Sequence, residues 1–241
     1  MMSRPSFLFR LQAAARSGFQ THGIAFPFVI LHRSWVYFCR KNFGARAFSL
    51  AGENHAYEIH PFILDNERAV EVALARDFLA GRSGTILEVG NVLANFLPLS
   101  HVVLDKYERA PGVINEDVIA FAPGEKFDAI VTLSTLEHVG WDETPRAPEK
   151  ILQAIERLKQ LLAAGGELLA TMPVGYNSFL DQIIRERRTG FAEVKFLVRL
   201  TADNQWREAT LDEAMTKPFG KPFSCANAIM VGYFPAPPRA A

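Results

Sequence analysis

The chain becomes legible as alternating apolar and polar segments from about His60 onward. A helical run from Glu67 to Leu79 repeats Val70, Leu74 and Phe78 every four positions, with a cap at Asp65 or Asn66 and Gly81 and Gly84 as its stop. Short apolar runs separated by turns follow: Thr85–Val89, His101–Leu104, a weaker Val118–Phe121, Phe127–Leu133 and Leu168–Met172. Their length and continuity predict buried strands of a parallel sheet. Between the last two lies the clearest helix, Pro148 to Leu162, with Ile151, Ile155, Leu158 and Leu162 on one face and Gly165-Gly166 read as its end. Two later runs, Val194–Leu200 and Ala228–Phe234, have the character of an antiparallel pair at one sheet edge. Strand alternating with helix predicts a doubly wound, mostly parallel α/β sheet with helices on both faces.

Composition adds one asymmetry to this picture. The 241 residues are 49% hydrophobic and 22% charged with zero net charge, ordinary material for one sizeable core. Yet the first acid is Glu53, and seven cations precede it: Arg4, Arg10, Arg16, Arg33, Arg40, Lys41 and Arg46. Residues 1–52 therefore read as a basic N-terminal extension, dispensable for folding, and 53–241 as the catalytic-type domain. An Arg-rich, acid-free start has the composition of an organelle-targeting segment or a membrane-surface arm, and equally of a plain extension. Its longest apolar run, Gly23–Leu31, is too short to span a bilayer, so no transmembrane helix is expected. Cys39 and Cys225 lie far apart without metal-ligand spacing, which points to neither a disulfide framework nor a metal site and suits a cytoplasmic setting.

In a doubly wound sheet, ligands bind outside the carboxyl ends of the strands, so the residues after each strand carry the candidate chemistry. The first such turn reads Glu88-Val89-Gly90-Asn91-Val92-Leu93, an acid at the strand end and a glycine where backbone can approach a ligand closely. The second strand ends in Asp105, followed by Lys106 and Tyr107, and a carboxylate there can accept both hydroxyl hydrogens of a ribose. A third acid, Asp117, precedes the weak third strand, and Ser134 and Thr135 follow the fourth.

The succession E-V-G-N, V-L-D-K-Y-E, N-E-D-V, F-D-A-I-V-T-L-S-T-L-E-H-V-G and L-L-A-A-G-G-E-L-L-A-T-M-P resembles the class I, Rossmann-like S-adenosylmethionine-dependent methyltransferases over Glu67 to Pro173. The first loop, E-V-G-N-V-L, is similar to that of a little-studied branch of them. The resemblance implies a seven-stranded sheet with the last strand antiparallel, and S-adenosyl-L-methionine as cofactor. It places Glu88, Gly90 and Asn91 near the methionine part, Asp105 at the ribose, Asp117 with Val118 at the adenine, and Ser134 and Thr135 facing cofactor and substrate; Lys106 and Tyr107, next to Asp105, complete the candidate cofactor-binding set. Val92 and Ala94 depart from the pattern, standing where family members carry further glycines, and the linker from Asn91 to Ser100 is too short for a full helix.

The segment Leu136-Glu137-His138-Val139-Gly140-Trp141-Asp142-Glu143 is the candidate source of catalytic groups. His138 can take a proton from an attacking acceptor and Glu137 can orient it; the pair can equally brace the loop. After the fifth strand, Tyr176 and Asn177 are candidates for contacting substrate, or for a turn capping a following helix.

These readings predict methyl transfer to a small-molecule or glycan-related acceptor. A non-catalytic cofactor-binding or scaffold protein is the alternative that the thinned glycine loop favours. A nicotinamide-dependent oxidoreductase is disfavoured, because the G-x-G-x-x-G loop is missing. The Asn/Asp-Pro-Pro-aromatic motif of nucleic-acid amino-methyltransferases is replaced by Leu133-Ser134-Thr135-Leu136, which disfavours base modification, while the basic arm leaves nucleic acid open. The sequence sets neither the acceptor nor the oligomeric state.

Overall fold

A computed structural model describes residues 26–235, with side chains from Leu31 onward. Arg4, Arg10 and Arg16 of the basic arm, part of the Gly23–Leu31 run and most of the Pro/Ala-rich tail lie outside the described residues.

The described residues open with helix α1 (Phe26–Phe43) and a small antiparallel hairpin, β1 (Ala47–Leu50) with β2 (Glu53–Ala56). Helix α2 (Arg68–Leu79) leads into the main sheet: β3 (Ile86–Val89), β4 (Val102–Leu104), β5 (Val113–Ile114), β6 (Phe127–Leu133), helix α3 (Lys150–Leu161), β7 (Leu162–Pro173), helix α4 (Ser178–Arg185), β8 (Glu193–Arg199), β9 (Trp206–Ala209), the short helix α5 (Leu211–Ala214) and β10 (Ala228–Phe234). The eight strands are ordered β5-β4-β3-β6-β7-β10-β8-β9. Pairing is parallel from β5 to β7; β10 then enters antiparallel between β7 and β8.

This is the Rossmann-like α/β architecture expected from the alternation, with the last strand antiparallel and β9 added outside β8. The sheet has eight strands where seven were expected, because the polar stretch around Trp206 forms β9. The β8–β10 pair is therefore not itself the edge.

Two helical faces cover the sheet because strand side chains alternate between its sides. On β6, Ile130 joins the layer packed by Ile151, Ile155 and Leu158 of α3, while Ala129, Val131 and Leu133 join the layer packed by Val70, Ala73 and Leu74 of α2. Phe48 and Leu50 of β1 and Tyr57 belong to that second layer, so the hairpin straddles the charge break at Glu53 and packs into the body.

Two expected elements differ. Val118–Phe121 is a turn, because the Asp117 carboxylate accepts the Ile119 N–H at 2.9 Å and the Asp117 carbonyl accepts those of Ala120 and Phe121. Such local bonds give the backbone an alternative to a ladder. The third parallel strand is instead the two-residue β5, and Asp117 lies beyond its end rather than at the head of a strand. The Pro148–Leu162 helix ends at Leu161, and Leu162 is already extended. Gly165 and Gly166 belong to an irregular start of β7, where the β6 register shifts between Phe127 and Ala129.

Candidate active site

The strand order reverses direction between β3 and β6, from which the chain winds out to β4 and β5 on one side and to β7 on the other. A cleft of about 600 Å³ opens at the carboxyl ends of these strands, within the range of small-ligand sites. Gly90, Asn91, Asp105, Lys106, Tyr107, Asp117, Val118, Ser134, Thr135 and His138 all line it. Among the sequence candidates, Glu88, Glu137, Tyr176 and Asn177 are not on its wall.

The loops after β3 and β6 meet face to face. Gly90 has φ +86°, and a Cβ on it would lie 2.2 Å from the Thr135 hydroxyl oxygen, so the position demands glycine for both conformation and space. Ser134, at φ +37°, is held by its backbone N–H on the Thr171 carbonyl and by its hydroxyl donating to Glu71 at 2.5 Å. Glu71 also accepts the Thr171 hydroxyl at 2.7 Å and pairs with Arg68 at 2.9 Å; the Arg68 guanidinium donates to the Leu133 carbonyl at 2.7 Å. The turn after β6 is thus clamped from beneath by α2. Asn66-Glu67-Arg68 reads in the sequence either as a cover for the pocket or as a helix start with surface charges; the structure starts α2 at Arg68 and also puts Arg68 on the cleft wall.

Glu88 is spent inside the first loop. One oxygen accepts the Val92 and Leu93 N–H groups at 2.6 and 2.5 Å, and the other lies 2.6 Å from the ring of buried His101. These bonds hold the single 3-10 turn Leu93–Asn95, which occupies the linker too short for a helix. Asp105 is braced differently: its Oδ1 accepts the N–H groups of Tyr107 and Glu108 at 2.8 and 2.7 Å, and Oδ2 has no recorded partner among the described residues. Asn91 reaches across to Glu108 at 2.6 Å. Lys106 bridges Asp117 and Glu143, both at 2.8 Å, and Glu143 pairs in turn with Lys150 at 2.6 Å. The Asp117 and Glu143 hydrogen bonds hold the Lys106 ammonium well above its usual range. Lys106 and Lys150 lower the Glu143 carboxyl.

His138 is half exposed and is oriented by Asp142, 2.5 Å from Nδ1. The same carboxylate oxygen accepts the Tyr176 hydroxyl at 2.7 Å, and the Tyr176 ring meets the imidazole edge-on at 5.0 Å. Partial burial opposes the shift, yet the bonds from Tyr176 and His138 keep Asp142 below the usual carboxylate range. Burial together with Asp142 pushes the Tyr176 phenol up to about 12, so it remains a donor. The orienting contact falls to Asp142 because a one-turn loop, Asp142 N–H to His138 carbonyl, brings positions i and i+4 together. That spacing was the available signal in the sequence. Asn177 is fully buried; it caps α4 by accepting the Phe179 and Leu180 N–H groups and donates to the Glu137 carbonyl at 2.8 Å. Trp206 and Asn227, both buried, make internal hydrogen bonds away from the cleft.

Glu137 lies beneath the loop, 1% exposed and 3.6 Å from His138 Nε2, and its Oε2 has no hydrogen-bond partner among the described residues. Burial raises its carboxyl well above the usual range, with Glu71 acting in the same direction. A folded state that holds this proton gains a contribution fully present below the unfolded-state carboxylate range. That contribution is lost as pH rises through the elevated folded value. Glu137→Gln, a neutral isostere, is expected to flatten this decline. Denaturant unfolding of both proteins from acid to neutral pH checks it, and parallel stability curves count against a buried, protonated Glu137.

No protein-family model and no curated protein matches the chain. Among solved structures it is similar to the N-methyltransferase NodS from Bradyrhizobium japonicum WM9 in complex with S-adenosyl-L-homocysteine, at 15% identity over 71% of this chain and 88% of that one, TM-score 0.44. It is also similar to a methyltransferase from Thermotoga maritima described as a possible histamine N-methyltransferase, at 14% identity over 68% and 88% of the two chains, TM-score 0.40. The sugar N-methyltransferase KedS8 from Streptoalloteichus sp ATCC 53650 matches at 13% identity over 71% and 87%, TM-score 0.35. At this distance the fold assignment rests on the strand order itself.

Proposed function

We propose that the chain is a S-adenosylmethionine-dependent methyltransferase acting on a small-molecule or glycan-related acceptor. The observation that carries this reading is the cleft at the strand-order reversal, where Gly90 faces Thr135 across a gap too narrow for a side chain and Asp105 directly follows β4 with one carboxylate oxygen braced. These features fit the cofactor that the sequence resemblance implies: a close backbone approach at Gly90 and a preorganised carboxylate at Asp105 for a ribose diol. Glu88 supports the cofactor loop from within, while Asn91, Ser134 and Thr135 line the cleft beside it. Lys106, Tyr107, Asp117 and Val118 border the adenosine side.

When bound, the cofactor supplies a methyl group already activated by its sulfonium. The protein's part is then placement and proton removal. With Nδ1–H donated to Asp142, the His138 Nε2 lone pair is available to take the acceptor's proton, and Tyr176 fixes Asp142 in that role. Glu137, buried and with its carboxyl raised by that burial, supports the loop instead.

Asp105→Ala is expected to weaken S-adenosyl-L-homocysteine binding ten- to hundredfold, since a hydrogen bond to a charged group contributes about 1.5–3 kcal/mol. Asp105→Asn keeps an oxygen for the Tyr107 and Glu108 N–H groups and separates loss of charge from loss of the turn. Calorimetry on folded variants decides: unchanged affinity in both removes Asp105 from the site. Measuring turnover beside binding distinguishes an enzyme from a non-catalytic binding protein, in which binding persists and no acceptor is methylated.

A further inference from the structure

Helix α1 is mounted with two arginines inward. Arg33 and Arg40, seven positions and two turns apart, share one side of the helix. Arg33 donates to the Pro61 carbonyl at 3.0 Å and pairs with Asp65 at 3.3 Å. Arg40, with only 6% of its side chain exposed, donates to the carbonyls of Asp203 and Asn204, the latter at 2.7 Å, and lies 4.8 Å over the Tyr57 ring. The opposite side carries Leu31, Trp35 and Phe38, spaced i, i+4, i+7 and exposed by 71%, 64% and 50%. Trp35 and Phe38 stack at 5.9 Å, and Phe43, 80% exposed, meets Phe38 edge-on at 6.2 Å. Single exposed apolar residues are ordinary, but a contiguous aromatic stripe on a helix pinned by its arginines calls for a partner.

Charge selects the partner. No acid precedes Glu53 in the sequence, and with Arg33 and Arg40 engaged by the body, Lys41 and Arg46 are the other cations of the described part of the segment. Lys41 and Arg46 are exposed near the stripe in sequence. A second copy seated on this face would set one cationic segment against another. An anionic surface is complementary to it. No helix among the described residues is long and apolar enough to cross a membrane, which leaves a helix lying on the surface.

We propose that the outer face of α1 docks this protein on anionic phospholipid membranes, with Leu31, Trp35 and Phe38 entering the headgroup–acyl boundary and the surrounding cations meeting lipid phosphates. Apolar burial and cation attraction add together in this mode, and only the second is screened by salt.

The test uses the full chain and sedimentation with phosphatidylcholine vesicles that contain or lack phosphatidylglycerol. Binding is expected only with phosphatidylglycerol and is expected to weaken as salt rises. The Trp35→Ser/Phe38→Ser double variant, whose thermal midpoint should be unchanged because both positions are exposed, is expected to bind at least ~10-fold more weakly. Brominated phosphatidylglycerol should quench native tryptophan fluorescence, and Trp35→Phe should abolish that quenching while retaining binding. Absence of vesicle binding, or equal binding by the double variant, overturns the proposal. So does a lipid-independent dimer that the double variant abolishes, which would assign the stripe to a second copy.

Discussion

A chain beginning at Glu53 is expected to unfold at least roughly 10 °C below the full chain, or to lose cooperative unfolding altogether. The charge break makes that position an apparent boundary, but it falls inside the β1–β2 hairpin. Truncation there leaves β2 without its recorded strand partner and removes Phe48 and Leu50, 3% and 1% exposed, from the layer beneath α2. Burying two such side chains stabilises by about 3–6 kcal/mol, a large share of the 5–15 kcal/mol typical of a whole domain. The Arg40 guanidinium would also leave the Asp203 and Asn204 carbonyls and the Tyr57 ring. We therefore propose that the folding unit includes the hairpin. Calorimetric scans of both chains check it; midpoints within a few degrees would restore Glu53 as a boundary.

His138→Ala is expected to lower the methyl-transfer rate by about 10²–10⁴, the usual contribution of positioned proton transfer, while leaving S-adenosyl-L-homocysteine affinity within a few fold. Asp142→Asn should act in the same direction with a smaller effect, because it removes the charge that orients Nδ1 but not the ring. Glu137→Gln should leave the rate near wild type. Single-turnover rates with an identified acceptor, alongside calorimetric affinities, separate the cases. If His138→Ala lowers thermal stability and cofactor affinity together without a specific loss of rate, the ring braces the loop and Asp142 holds it there for structural reasons.

Much of the sheet was legible because its inner strands are short, mostly apolar and largely buried runs: β3, β4, β6, β8 and β10 lie within two residues of where the apolar runs put them. What was missed is short or locally overridden. β5 is two residues long, β9 carries charge on its exposed positions, and the Asp117 turn captured an apolar segment that composition alone reads as a strand. In the site, residues that directly follow strands were legible, since topology brings strand ends together: Gly90, Asp105, Ser134 and Thr135 share one cleft. Partnerships were not. Glu88 turned inward to His101 and Glu137 was buried below the loop, and which of its two readings Asn177 takes, substrate contact or helix cap, was settled as the cap; each outcome depends on packing that spacing does not encode. Glu71 was overlooked for the same reason, and for Arg68 only a place over the pocket was legible, not its bond to Leu133, because these bonds to Leu133, Ser134 and Thr171 link positions 63 to 100 residues apart.

The most direct test of the central claim is an equilibrium titration of S-adenosyl-L-homocysteine into the unaltered full chain, followed by calorimetry, with a nicotinamide dinucleotide titrated in parallel. The account predicts saturable one-to-one binding of S-adenosyl-L-homocysteine in the micromolar range and no saturable heat from the dinucleotide. Absence of saturable binding to a folded chain, or preference for the dinucleotide, would contradict it.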